Sequence, residues 1–190
     1  MGASFHIMFV CTGNICRSPM AEQMLRAKLT ARGVDGVTIS SAGTHAMVDS
    51  DMPPHAREVL STRGYEPTEH TSVQVTAALV EQADLVLVAT EDHRADVVRE
   101  FIPANRYSYT IKEFANQLAF VNNPGEVELP EVAKRAQSLA LIASTRGLAP
   151  VLSIVDLDDP YGKDIAAYEV VQRELEVSLD AVTNWLVQHG

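Results

Sequence analysis

The chain has 190 residues, a formal net charge of −10 and 46% hydrophobic residues. This length and apolar content predict one domain with a buried core, spanning residues 1–190. The negative charge argues against broad nucleic-acid binding, which needs a basic surface. Because we recognise neither a signal peptide nor a membrane-length apolar run, we expect a cytoplasmic protein with no membrane partner. Two neighbouring cysteines, Cys11 and Cys16, make no disulfide framework and indicate a reducing compartment.

Short apolar runs alternate with helical periodicities along the chain. Strands are predicted over 5–10, 37–40, 83–89 and 106–110, and the unbroken apolar third run is typical of a parallel sheet covered on both faces. Residues 121–129 are predicted as a loop and 144–163 as mostly irregular. Helices are predicted over about 18–33, 53–64, 92–101, 112–118, 130–143 and from 165 onwards. The alternation predicts a doubly wound α/β fold with a parallel sheet.

A cysteine and an arginine with five residues between them lie between the first predicted strand and the first predicted helix. Ligands of such sheets bind at the carboxyl ends of strands, and a tight loop at a helix N-terminus points several N–H groups at one spot. Arg17 can donate two N–H bonds to phosphate oxygens, and the positive field favours the thiolate of Cys11, a nucleophile. The loop therefore predicts phosphate chemistry, with these further candidate binding residues: Thr12, Gly13, Asn14, Ile15, Cys16 and Ser18.

Individual residues of this loop have specific expected roles. Gly13 is expected to supply backbone freedom at a sharp turn, and Asn14 to accept a left-handed conformation and brace the loop. Ser18 can donate a hydrogen bond to the Cys11 sulfur. Cys16 either packs or forms a disulfide with Cys11 under oxidation. The plain alternative for the whole loop is a buried structural cysteine beside a helix cap.

A second cluster of polar residues precedes the last predicted helix. A leaving phenolate needs a proton, and Asp156, Asp158 and Asp159 offer three carboxylates in one loop. Pro160 restricts Asp159 to extended geometry, which could hold its carboxyl over a pocket, and Tyr161 could wall that pocket. The alternative is a capping turn before the helix.

Together these residues resemble the low-molecular-weight protein-tyrosine phosphatase family, which carries a Cys-x5-Arg-Ser loop near its N-terminus and an Asp-Pro loop near its C-terminus. Ser41-Ala42-Gly43-Thr44 and His70 also resemble family positions, so the likeness runs from about residue 5 to the end. It implies a four-stranded parallel sheet flanked by helices, no cofactor and a phosphotyrosine-containing protein substrate.

The resemblance also implies a two-step mechanism. Cys11 attacks phosphorus while Asp159 protonates the leaving oxygen, and Arg17 and the loop N–H groups hold the resulting phosphocysteine. Water then hydrolyses this intermediate with Asp159 as the base. Stabilising the phosphoryl charge is expected to be the largest catalytic contribution. By match, the loop is braced by Asn14, Ser41 and His70, and the thiolate is tuned by Ser18.

The chain departs from the family pattern in three places, one of which is Gly162 after Tyr161, where some members have a second aromatic residue. It is longer than a minimal member, with the extra length around 120–150, and Ala89 to Arg94 replaces a Met-Asp that often follows the third strand. The remaining histidines show no metal-ligand spacing, so no metal is expected. They are interpreted as surface residues: His6, His45, His55, His93 and His189.

Three alternative functions stay open at this point. A thioredoxin-coupled arsenate reductase uses a similar loop but needs further cysteines, and none follows Cys16. Phosphoarginine phosphatases resemble this chain but carry threonine where it has Ile15. A phosphate-binding module without turnover would need neither the cysteine nor the acid. The oligomeric state is not predicted.

Overall fold

A computed structural model describes residues 4–121 and 131–189 of the chain. Four parallel strands form one sheet in the order β2-β1-β3-β4, so β1 lies between β2 and β3. Their bounds are β1 (Phe5–Cys11), β2 (Val37–Gly43), β3 (Leu85–Val88) and β4 (Ser108–Thr110). The predicted α/β class and its four-stranded parallel sheet are confirmed.

Helices separate the strands and follow the sheet. Their bounds are α1 (Arg17–Ala31), α2 (Pro54–Thr62), α3 (Ala77–Glu81), α4 (Glu91–Glu100), α5 (Ile111–Phe120), α6 (Glu131–Ser144) and α7 (Ile165–Gln188), with a 3₁₀ turn over Ile102–Arg106. Among the described residues, none of these helices is both long and apolar enough to cross a membrane.

Alternation along the strands divides the core between the two faces of the sheet. On β1, Phe5, Ile7 and Phe9 belong to the core that also contains the buried residues of α1, α2, α5 and α7. Met8 and Val10 point to the opposite face, where they join a smaller core with residues of α3 and α4. Successive strand residues face opposite sides, so a strand covered on both faces must be apolar throughout. This accounts for the unbroken apolar runs in the sequence.

Several element bounds differ from the predictions for physical reasons. β2 extends three residues past Ser40, because Ser41, Ala42 and Gly43 continue the ladder beside β1 despite their low apolar content. The predicted fourth strand began too early, since Ile102–Arg106 forms a 3₁₀ turn. Helix α3 was not predicted; its five residues are too short for a clear period, although Thr76 caps it. The predicted loop over 121–129 lies, after residue 121, outside the described residues.

Candidate active site

A cleft of about 200 Å³ opens at the carboxyl end of β1. This volume is below the roughly 300–1,000 Å³ of typical small-molecule sites and suits one side-chain-sized group. Eight of its lining residues are sequence-predicted ones, and His45 and Met47 complete the wall. The predicted lining residues are Cys11, Thr12, Gly13, Ile15, Cys16, Arg17, Asp159 and Tyr161.

The carbonyl groups of residues 11–14, in and after the end of β1, accept hydrogen bonds from outside the loop. Residues 44–47 donate three of these bonds: Thr44 N–H to the Cys11 carbonyl (2.9 Å), His45 N–H to Thr12 (2.9 Å) and Met47 N–H to Gly13 (3.0 Å). Within the described part of the chain, the N–H groups of residues 12–16 have no hydrogen-bond acceptor. A row of unpaired backbone N–H groups next to a helix N-terminus is an anion-binding arrangement.

Glycine is required at Gly43 and not at Gly13. A Cβ at Gly43 would lie 2.5 Å from the Thr12 carbonyl oxygen, so a side chain there would push the loop off β2. At Gly13 a Cβ would meet only ordinary contacts, the nearest being Ile15 Cγ1 at 3.4 Å. The expectation that Gly13 provides the unusual backbone geometry is therefore wrong. The left-handed residue is Asn14, with φ of 53°, as predicted for an asparagine.

The Asn14 side chain is fully buried, and both its amide nitrogen and its amide oxygen are hydrogen-bonded. Its Nδ2 donates to Ser18 Oγ and Ser41 Oγ, both at 2.9 Å, and its Oδ1 accepts from Val73 N–H at 2.8 Å. Ser18 Oγ lies 3.0 Å from Cys11 Sγ and 3.4 Å from the Ala42 carbonyl. Asn14 donates to Ser18, so the Ser18 proton points to one of two acceptors, and the Cys11 sulfur is nearer than the Ala42 carbonyl. The bond from Ser18 to the sulfur stabilises a thiolate at Cys11.

The backbone of Asn14 is held from a second direction. His70 Nε2 donates to the Asn14 carbonyl at 2.6 Å, and Ser72 Oγ lies 2.8 Å from the same oxygen. Ser41 in turn donates to Glu22 Oε2 at 2.6 Å. The structure thus brings Asn14, Ser41 and His70 together, and adds Glu22 and Ser72.

Arg17 is 4% exposed and lies beneath the cleft. Its Nη1 donates to the Leu157 carbonyl at 3.1 Å, and its Nη2 lies 3.3 Å from Thr12 Oγ1 and 2.8 Å from Asp159 Oδ2. Its Nε is buried and has no hydrogen-bond partner among the described residues. A buried donor without a partner is costly, and a phosphate oxygen would satisfy it.

The loop that carries Asp159 is far more exposed than the loop of Arg17. The Asp159 side chain is 49% exposed, and its second oxygen accepts from Tyr161 N–H at 3.2 Å. Asp156 Oδ1 accepts from Glu91 N–H at 2.9 Å, which ties the loop to the start of α4. Asp158 is exposed and does not line the cleft. Of the three predicted carboxylates, only Asp159 therefore faces the cysteine.

Cys11 and Cys16 are equally buried and both are free thiols, but their surroundings differ. Burial raises the pKa of the Cys16 thiol to about 12, against a weaker opposing effect of its hydrogen bond to Tyr168, with Sγ and Oη 3.7 Å apart. Nearby Cys11 and Asp159 raise this pKa further. Cys16 is therefore a neutral thiol at physiological pH, and a poor nucleophile.

The interpretation of His93 as a surface residue is wrong. Its side chain projects from the first turn of α4 and is buried against the loop, with Nε2 2.8 Å from Thr12 Oγ1 and Nδ1 2.6 Å from Thr90 Oγ1. Burial, and then the positive charge of Arg17, lower the pKa of His93 to about 4. His93 is thus a neutral imidazole beside the arginine.

The sequence did carry signals for some of the residues that were missed. His93 follows β3 by five residues, and carboxyl ends of neighbouring parallel strands meet at one edge of the sheet. Thr90 caps α4 through His93 N–H, so a Thr-x-x-His pattern directly after a strand marks this edge. Met47 and Glu22 had no comparable signal, because each reaches the site only through tertiary packing.

Comparison with known proteins agrees with this geometry. The family model for low molecular weight phosphotyrosine protein phosphatases matches residues 6–141. A protein-arginine-phosphatase of Geobacillus stearothermophilus is 30% identical over 182 residues, covering 96% of each chain. Low molecular weight protein-tyrosine phosphatase A of Mycobacterium tuberculosis is 32% identical over 188 residues, covering 98% of this chain and 94% of that protein.

Solved structures give the same assignment. A crystal structure of a YwlE mutant from Bacillus subtilis has a TM-score of 0.70 and 28% identity, covering 95% of this chain and 97% of that one. The tyrosine phosphatase AmsI of Erwinia amylovora has a TM-score of 0.69 and 26% identity, covering 95% of this chain and 92% of that one. From these matches, the chain belongs to the low molecular weight phosphotyrosine protein phosphatase family, whose members are hydrolases.

Proposed function

We propose that this chain hydrolyses phosphotyrosine in proteins through a phosphocysteine intermediate. The observation that carries this proposal is that Cys11 shares the cleft with backbone N–H groups and with an Arg17 Nε that have no partner among residues 4–121 and 131–189. A thiolate in a site that binds phosphate oxygens is placed to attack phosphorus.

In the first step, the Cys11 thiolate forms a bond to phosphorus as the bond from phosphorus to the tyrosine oxygen breaks. The leaving oxygen takes the electron pair of that bond and a proton from Asp159. Phosphoryl oxygens compete with the Asp159 carboxylate for Arg17. Once released from the arginine, the carboxylate accepts a proton from solvent, and this is the proton that it gives to the leaving oxygen. The loop N–H groups and Arg17 stabilise the charge of the transferring group.

In the second step, water attacks phosphorus and the bond from phosphorus to the Cys11 sulfur breaks. The Asp159 carboxylate takes the proton from water, and the thiolate is restored with the electron pair of the broken bond. Ser18 donates to that sulfur, which makes the thiolate a better leaving group.

The test compares wild type with Cys11→Ser on a phosphotyrosine peptide and the matched phosphoarginine peptide, under reducing conditions. We expect phosphate release from phosphotyrosine by wild type and none by Cys11→Ser, because a serine hydroxyl is a much weaker nucleophile at neutral pH. The variant should still bind inorganic phosphate in calorimetry, since the loop N–H groups and Arg17 are unchanged. Release from neither peptide by wild type would contradict the proposal.

Phosphoarginine hydrolysis is a second candidate function, because the Geobacillus relative is named a protein-arginine-phosphatase and aligns over nearly the whole chain. The residue that bears on this choice is Ile15, which lines the cleft and is 5% exposed. An apolar side chain packs well against a phenyl ring and leaves the N–H groups of a guanidinium without a partner.

Two variants of nearly identical shape separate these substrates. Ile15→Thr adds a hydroxyl, whereas Ile15→Val only shortens the side chain. We expect Ile15→Thr to raise the ratio of phosphoarginine to phosphotyrosine kcat/KM by about tenfold, the equivalent of one hydrogen bond. Ile15→Val should leave the ratio within about twofold of wild type. Equal ratios in both variants would show that Ile15 does not determine the preference between the two substrates. Faster turnover of phosphoarginine than of phosphotyrosine by wild type would make phosphoarginine the preferred substrate.

A further inference from the structure

Four side chains form a continuous line of contacts from the start of α4 to the phosphate-facing arginine. Thr90 caps α4 and lies 2.6 Å from Nδ1 of His93, whose Nε2 lies 2.8 Å from Thr12 Oγ1. Thr12 Oγ1 is then 3.3 Å from Nη2 of Arg17. His93 thus links a rigid helix end to a hydroxyl that touches the guanidinium.

We infer that His93 is a positioning residue that fixes Arg17 for phosphate through the Thr12 hydroxyl; this inference rests on the proposed phosphate site. His93 does not line the cleft, so it acts through another residue. Arg17 is a donor only and must meet an acceptor at Thr12 Oγ1. The imidazole holds that oxygen in place, because both of its ring nitrogens are engaged, one on each threonine.

The charge state of His93 fits this role. Burial keeps the imidazole neutral, and a second cation here would repel Arg17. The charged groups that act on the ring are Arg17, Asp92, Asp96 and Asp159. A neutral ring can accept a hydrogen bond at one nitrogen and donate one from the other, which matches one hydroxyl at each end.

The geometry of the ring provides a matched pair of variants. The side-chain amide of glutamine reaches approximately the position of imidazole Nε2, and that of asparagine approximately the position of Nδ1. His93→Gln therefore keeps the contact to Thr12, whereas His93→Asn keeps the contact to Thr90 and loses the one to Thr12. His189→Gln, at the residue that follows α7 and away from the cleft, serves as the control.

The experiment measures kcat and KM for p-nitrophenyl phosphate, the calorimetric affinity for inorganic phosphate, and Tm for each variant. We expect His93→Asn to lower kcat/KM by about 10- to 100-fold and to weaken phosphate binding by about tenfold, since small misplacements of a clamp are costly. His93→Gln should recover most of both losses. A purely structural role for His93 predicts instead that His93→Asn lowers Tm but leaves kcat/KM of the folded enzyme unchanged, and that result would overturn the inference.

A double-mutant cycle with Thr12→Val tests whether the effect passes through the threonine. We expect Thr12→Val combined with His93→Asn to be no slower than Thr12→Val alone, because the shared contact is already lost. Additive losses would show that His93 acts by another route and would overturn the inference. Phosphate titration needs no turnover. Failure of the proposed function therefore appears as wild type without hydrolysis, whereas failure of this inference appears as His93→Asn with wild-type phosphate affinity.

Discussion

The two loops that meet at the cleft are built in opposite ways. Residues 11–18 are mostly buried, and their carbonyls and side chains are held by residues 41–47, 70–73 and 93. Residues 156–163 are mostly exposed, and Asp159 contacts the first loop through one ion pair to Arg17. The groups proposed to hold phosphate are therefore fixed in advance, whereas the group proposed for proton transfer lies on an accessible loop. Preorganised donors are effective because they need no rearrangement during the reaction.

The largest effect is expected from removing the Asp159 carboxyl, which lies on the exposed loop. Asp159→Ala should lower kcat for a phosphotyrosine peptide by about 10²–10⁴-fold, the usual range for general acid catalysis. The loss should be smaller for p-nitrophenyl phosphate, because its leaving group needs less help from a proton donor. Steady-state kinetics on both substrates measure the difference.

Asp158→Ala is the matched control, since Asp158 is the adjacent carboxylate and does not line the cleft. It should change kcat by less than about threefold, as expected for an exposed side chain. A larger loss in Asp158→Ala than in Asp159→Ala would show that Asp159 is not the general acid.

The next largest effect is expected from substituting Asn14, which braces the buried loop of residues 11–18. Asn14→Gly keeps the left-handed backbone but leaves Ser18, Ser41 and Val73 without their amide partner, which should destabilise the fold by about 2–4 kcal/mol. Asn14→Ala adds the strain of a positive φ, about 1–2 kcal/mol more. Both variants should lose about 10- to 100-fold in kcat/KM, because the Ser18 bond to Cys11 is no longer oriented.

Urea unfolding and steady-state kinetics separate the two contributions at Asn14. The alanine and glycine variants should differ in stability but have similar kcat/KM, since both lack the amide. If alanine and glycine were equally stable, the positive φ would carry no energetic cost at this position.

Features set by local sequence patterns were predictable, whereas those set by tertiary contacts were not. The family assignment and the parallel sheet followed from local patterns: strand runs, a Cys-x5-Arg loop and an Asp-Pro turn. The contacts of Asn14 join residues 14, 18, 41 and 73, and spacing alone does not give their geometry. His93 was interpreted as a surface residue because the histidines show no metal-ligand spacing, but α4 turns its side chain towards Thr12. The sequence also could not tell which glycine is required. Gly43 is required only because its backbone lies close to the Thr12 carbonyl oxygen, whereas Gly13 has room for a side chain.

The smallest expected effect is a loss of stability at acid pH. It comes from His93, the residue of α4 that contacts the buried loop at Thr12. Unfolded, His93 binds a proton below its usual pKa of about 6.5, whereas in the folded protein its pKa is lowered to about 4. Between these values the unfolded state binds more protons, so stability present above pH 6.5 is lost as pH falls towards 4. The loss should be on the order of 1–3 kcal/mol.

We expect wild type to lose this much more stability than His93→Gln between pH 7 and pH 4.5 in urea unfolding, because glutamine does not titrate. The pKa of His189 is also lowered by burial, but His189 is present in both proteins and its contribution cancels. Parallel stability curves for the two proteins would mean that His93 titrates alike in the folded and unfolded states, in contradiction to its burial beside Arg17.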